Sequence, residues 1–168
     1  MNPFESDLYD HTALAVALPS LLIAVGELTV RAGEVLIFNQ HGLTHPQYVV
    51  LATVGLYPVP PSISEVKSSL FMVRSAANMT QLVDQLESRS LLRRIPSPSD
   101  RRATLLEITE EGRQTVAKVD ELYVRTMQEI CRDYPDEELR GAIITLRRFC
   151  FDAAKVLGIE MRDPRQHS

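Results

Sequence analysis

Apolar residues at Leu14, Leu18, Leu21, Val25, Leu28, Ala32 and Val35 recur in steps of three and four, the spacing that lines one face of a helix. A long amphipathic helix is expected there. Pro19 has no amide hydrogen to donate, so it should either kink this helix or mark where its regular part begins. Gly42 is the expected stop. Thr44-His-Pro-Gln47 then has capping-box spacing and opens a second helix, from about Thr44 to Leu56. Pro58, Pro60 and Pro61 end that helix, and Ser62-Ile-Ser-Glu65 repeats the capping pattern ahead of a short helix to about Leu70. After a tight turn, Ser75 caps a segment reaching Arg89, in which Met79, Leu82, Val83 and Leu86 form one apolar stripe.

A short helix, a tight turn and a second helix with a narrow apolar stripe make a helix-turn-helix, whose second helix can lie in a DNA major groove. The stretches Leu91 to Pro96 and Ala103 to Ile108 read as strands around a polar, turn-rich tip, Ser97-Pro-Ser-Asp-Arg-Arg102, and so predict a β-hairpin wing. Thr109, Glu110 and Glu111 place a cap and two acids at the positive end of a following helix that carries Val116, Val119, Leu122, Met127, Ile130 and Tyr134. Pro135 and Asp136-Glu-Glu138 open a last helix with Leu139, Ile143, Leu146, Cys150, Ala153 and Leu157 at near-heptad spacing. The expected fold class is mainly α with a small β-hairpin wing (α+β), a winged helix-turn-helix flanked by N- and C-terminal dimerisation helices. So small a winged domain could not bury the apolar faces of three long helices, and pairing with a second subunit is expected. Residues 1–43 and 114–168 are therefore assigned to dimerisation and 44–113 to a DNA-binding lobe.

The net charge of −4 argues against a nucleic-acid partner only until the charges are located. Residues 62–102 hold seven basic and four acidic residues, whereas both flanks are acidic; phosphate attraction is screened within about 10 Å, so a basic middle suffices. The 45% hydrophobic content is that of a globular domain with an ordinary core, so a folded chain is expected. The run Leu14 to Gly26 is read as too short and too broken for a membrane span, and no basic leader precedes it. A cytoplasmic protein is expected. Cys131 and Cys150 form no Cys-x-x-Cys pair, fall on apolar helix faces, and are expected as small core residues. No nucleophile elbow, phosphate-cradling loop or spaced carboxylate and histidine set supports an enzyme.

Met79-Thr-Gln-Leu-Val-Asp-Gln-Leu-Glu87, Leu91-Leu-Arg-Arg94 and Asp100-Arg-Arg-Ala-Thr-Leu-Leu-Glu-Ile-Thr-Glu-Glu-Gly112 resemble the recognition helix and wing of the multiple-antibiotic-resistance regulator (MarR) family. The convincing match spans about residues 62–113. Ser90 departs from the glycine usual after the recognition helix, so that helix end is expected to be built differently. The resemblance implies a homodimeric repressor on a pseudo-palindromic, double-stranded operator, with recognition helices in successive major grooves and wings in neighbouring minor grooves.

Arg74, Asn78 and Gln81 lie near the start of the recognition helix and off its apolar stripe. Amide side chains can bond adenine bidentately and arginine can serve guanine, so these are the base-reading candidates. Thr80 and Ser75 are candidates for phosphate contacts, Ser75 equally for capping. By match to the family Asp100 pairs with Arg102 and Arg101 faces the minor groove, though the two arginines could exchange roles. Arg93 and Arg94 are expected at the DNA backbone, and Asp84 and Glu87 lie aside or pair with them. A small aromatic or phenolic effector is implied, in a cleft between dimerisation helices and DNA-binding lobe, with His11, His41, His45 and Tyr48 as candidate ligand-binding residues. Three histidines without accompanying cysteines do not make a zinc signature, and neither metal nor cofactor is expected. The competing reading is a winged-helix dimer that serves as a protein-interaction or ligand-binding module without operator recognition.

Overall fold

The computed structural model describes residues 11–69, 76–98 and 103–158, in two units divided between His45 and Pro46. In the first unit, helix α1 (His11–Leu36) runs unbroken through Pro19. The regular part of the helix therefore does not begin at Pro19; the bond that the proline cannot make is one of a long ladder, and the others hold the helix through it. Gly33 makes room for Phe38: a Cβ at Gly33 would stand 2.8 Å from the Phe38 ring. A 3-10 turn, Phe38–His41, ends in left-handed Gly42 (φ 65°), whose N–H donates to the Asn39 carbonyl while that of Leu43 donates to Phe38 (3.0 Å each). These two bonds form the motif in which glycine avoids a Cβ clash.

Most of the α1 apolar stripe is exposed, Leu28 to 73%. By length and composition, His11–His41 could cross a membrane, with a mean hydropathy of 2.0 in its most apolar window. The expectation that this run is too short and broken therefore fails.

The second unit carries α2 (His45–Leu56), α3 (Ile63–Ser69), α4 (Ala76–Ser88), β1 (Leu92–Pro96), β2 (Thr104–Ile108), α5 (Glu110–Ile130) and α6 (Asp136–Val156). Its core draws Val50, Leu51 and Val54 from α2, Val66 from α3, Met79, Val83 and Leu86 from α4, and Leu92, Leu106 and Ile108 from the hairpin. The capping box at α3 is reciprocal. Ser62 N–H donates to the Glu65 carboxylate (2.7 Å), and Glu65 N–H to Ser62 Oγ (3.2 Å). The strands pair antiparallel, with Leu92 opposite Ile108 and Pro96 opposite Thr104. The proline-rich connection adds to the hairpin, since Leu106 N–H donates to the Pro61 carbonyl (2.8 Å) and Ser62 bridges Leu105.

Contrary to expectation, the end of α4 is built as it would be with glycine. Ser90 has φ 59°, its N–H donates to Glu87 (2.8 Å), and Leu91 N–H donates to Leu86 (3.0 Å). Burial of both Leu86 and Leu91 accounts for the outcome: the apolar contact across the turn outweighs the steric penalty of a left-handed serine. Ser90→Gly should accordingly stabilise the protein by about 0.5–1 kcal/mol, the left-handed penalty being partly offset by glycine's greater freedom when unfolded. Chemical denaturation of the two proteins checks this through the midpoint at constant m.

Thr109 joins α5 to that same turn. Its side chain accepts from Gly112 N–H (3.0 Å) and donates to the Ser90 carbonyl (2.7 Å), while its own N–H donates to Leu91 (3.1 Å). Along α5 and α6 only Gly112, Val119 and Ala154 are buried, and Val124, Ile130, Ile143, Ile144 and Phe151 are exposed. Neither cysteine is a core residue as expected: Cys131 is half-buried and Cys150 exposed. Cys131 follows the last residue of α5 and Cys150 sits on α6, helices whose apolar faces one chain leaves largely uncovered.

Candidate nucleic-acid interface

Helix α4 separates its two faces sharply. Met79, Val83 and Leu86 are fully buried, while Asn78, Thr80, Gln81, Asp84, Gln85 and Ser88 are exposed. Positions 78, 81, 85 and 88 follow the three-and-four spacing of one helix face, so the amides of Asn78, Gln81 and Gln85 share a polar edge. Gln85 is also tied to α2, its Oε1 accepting from Gln47 Nε2 (2.9 Å).

The hairpin stem stands beside this helix, and its two arginines have different surroundings because successive strand residues face opposite ways. Arg93 lies directly across from Glu107 and forms an ion pair with it; its side chain remains 65% exposed. The hydrogen bond raises the Arg93 pKa and holds the Glu107 carboxyl below its usual range. Arg94 turns toward α4, where its guanidinium bonds Asp84 (2.6 Å) and Glu87. The Arg94 backbone N–H donates to the other Glu87 oxygen (3.0 Å). Burial opposes the charge on Arg94, but the two carboxylates outweigh it and raise its pKa. Asp84 and Glu87 thus pair with Arg94, one of the two arrangements anticipated for them. Arg74, Ser75, Asp100, Arg101 and Arg102 lie outside the described residues.

A cavity of about 420 Å³ adjoins the stem, between α2 and the start of α5. Its walls are mostly apolar, among them Ala52, Leu56, Ile108 and Val116, with Tyr48, Asp120 and Arg113 as polar points. The Tyr48 hydroxyl donates to Asp120 (2.5 Å), and burial, then this bond, raises the phenol's pKa well above its usual value. Of the four candidate ligand residues, only Tyr48 lines this cavity. His11 is exposed, His41 is half-buried, and half-buried His45 stacks obliquely on Phe38 with ring centres 5.3 Å apart. Burial lowers the His45 pKa, against the pull of Glu34. Among the described residues no group of three acidic, cysteine or histidine side chains could hold a metal. Sequence reasoning missed Arg113 and Asp120. The available signal was the small-residue face Tyr48, Ala52, Gly55 on α2, which leaves space that α5 must border.

The model of the MarR family matches residues 43–104. The HTH-type transcriptional regulator PecS of Dickeya dadantii (strain 3937) is 28% identical over 102 residues, 61% of each chain. This chain therefore aligns with less than two thirds of PecS. Among solved structures, CouR from Rhodococcus jostii RHA1 bound to p-coumaroyl-CoA has a TM-score of 0.67 at 27% identity, covering 80% of this chain and 92% of CouR. A mutant MarR from E. coli complexed with operator DNA has a TM-score of 0.70 at 20% identity, covering 83% and 98%; at that identity it shows the fold alone.

Proposed function

We propose that the chain is a member of the MarR family of transcription regulators, whose model it matches over residues 43–104, and that it is a sequence-specific DNA-binding repressor released by a small effector. The observation that carries this reading is the exposed amide edge of α4, set over a fully buried stripe and joined to a hairpin stem. Such a helix can enter a major groove with Asn78 and Gln81 at base edges and Thr80 at phosphate. In this reading Arg74 reads a base, Ser75 and Arg93 meet the DNA backbone, and Arg101 and Arg102 with Asp100 serve the minor groove.

The repressor works as a cytoplasmic homodimer without catalytic activity of its own. A second copy covers the exposed faces of α1, α5 and α6, with residues 1–43 and 114–168 serving dimerisation and 44–113 DNA binding. For α1 a second copy is a better cover than lipid, because Glu27, Arg31 and Glu34 recur on one side of its C-terminal half, and a bilayer core penalises each. The cavity between α2 and α5 takes the effector, of aromatic or phenolic type: apolar walls suit a ring, Arg113 a carboxylate and Asp120 a hydroxyl.

The test is a titration of the protein with fragments of its own promoter region at two salt concentrations. The wild type should prefer one fragment, Arg101→Ala and Arg102→Ala should each flatten the salt dependence by roughly one unit of log–log slope, and phenolic acids should release the DNA. Equal affinity for every fragment, untouched by either substitution, would refute the proposal. Absence of DNA binding together with a stable complex with another protein would favour an interaction module instead.

A further inference from the structure

We propose that Arg94 is a positioning residue for operator recognition: held by Asp84 and Glu87, it sets the angle between the recognition helix and the wing rather than contacting phosphate. This rests on the DNA-binding reading above. The Arg94 side chain is only 27% exposed, and one Glu87 carboxylate receives both its guanidinium and its backbone N–H. Asp84 and Glu87 stand three positions apart on α4, so a single planar guanidinium spans nearly one helical turn.

Arg94 also lies opposite fully buried Leu106 in the hairpin register, which places the ion cluster beside the hairpin's buried anchor. From there the stem continues, Ser97 N–H donating to the Ala103 carbonyl (3.1 Å). Four extended residues reach about 13 Å, so a tilt of about 10° at Arg94 would move the stem's end by about 2 Å, enough to misplace a hydrogen bond. Without Arg94, two carboxylates on α4 would in addition be left uncompensated on a helix meant for a polyanion. Two acids around one base also leave this guanidinium little attraction for phosphate.

The experiment compares wild type, Arg94→Ala and the double variant Asp84→Asn with Glu87→Gln, each below its thermal transition. Operator and unrelated duplex are titrated across a salt series. In parallel, spin labels at Gln81→Cys and Thr104→Cys, with Cys131→Ser and Cys150→Ser, report the helix–wing distance without DNA, after dilution into unlabelled protein. Both sets of variants should lose roughly tenfold in operator affinity relative to unrelated DNA, keep the wild-type salt slope and broaden the distance distribution.

A phosphate contact predicts the reverse. Arg94→Ala would lower the slope by about 0.9, the double variant would bind operator more tightly, and the distances would not change; any of these three results overturns the proposal. If the wild type shows no operator preference, the DNA-binding reading fails on its own. The spin-label distances then still decide whether Arg94 holds the angle.

Discussion

Gly112→Ala is expected to lower the thermal unfolding midpoint by roughly 6–12 °C, from a loss of about 3 kcal/mol. A Cβ at position 112 would stand 2.2 Å from the Leu91 carbonyl oxygen and 2.9 Å from Ile108 Cγ1. Neither neighbour can yield cheaply. The Leu91 carbonyl already accepts from Thr109 N–H (3.1 Å), and Leu91 itself closes the left-handed turn after α4. To admit one methyl group, the first turn of α5 must lift from the hairpin and break the Thr109 cap, which alone is worth about 1 kcal/mol. Differential scanning calorimetry of the two proteins checks the figure. A midpoint within about 2 °C of wild type would mean that the close approach of α5 to the turn is not needed for stability.

Replacing both Asn78 and Gln81 with alanine should abolish operator preference while leaving sequence-independent DNA binding nearly intact. Each amide, if it makes a bidentate contact to a base, accounts for about 1–3 kcal/mol of discrimination, so the pair is worth roughly a hundredfold or more. Both side chains are exposed, on the side of α4 away from Met79, Val83 and Leu86, so truncation leaves the core unchanged. The measurement is the ratio of dissociation constants for operator and unrelated duplex, with a thermal melt as control. A ratio unchanged in the double variant would transfer base reading away from this edge of α4.

The contrast between these two substitutions separates what was legible along the chain from what was not. The helix-turn-helix and wing could be read because their determinants are local. Ser62 and Glu65 cap within three residues, Met79 to Leu86 share one helix face, and Thr109 and Gly112 cap within one turn. Asn78, Thr80 and Gln81 follow by geometry, since an apolar stripe defines its own opposite side.

Pairings between elements were less legible. That Asp84 and Glu87 both take Arg94, leaving Arg93 to Glu107, depends on the twist and register of β1 against α4 and β2. The left-handed Ser90 went unforeseen because local propensity disfavours it, and only the buried contact of Leu86 and Leu91 overrides that preference. Pro19 does not mark the start of the regular helix, since a single missing bond does not break a helix of 26 residues. The cavity needed both of its walls, α2 supplying small residues and α5 supplying Arg113 and Asp120 from more than fifty positions away.

By itself, then, the sequence determined the order of helices and strands, the buried face of α4 except for half-buried Leu82, and the polar edge opposite it, because these follow from spacings of two to four residues. The tertiary structure alone decided which charges neutralise one another, why Gly112 tolerates no side chain, and where a cavity opens. Those depend on atoms brought within a few ångströms from distant parts of the chain, a distance that no local periodicity encodes.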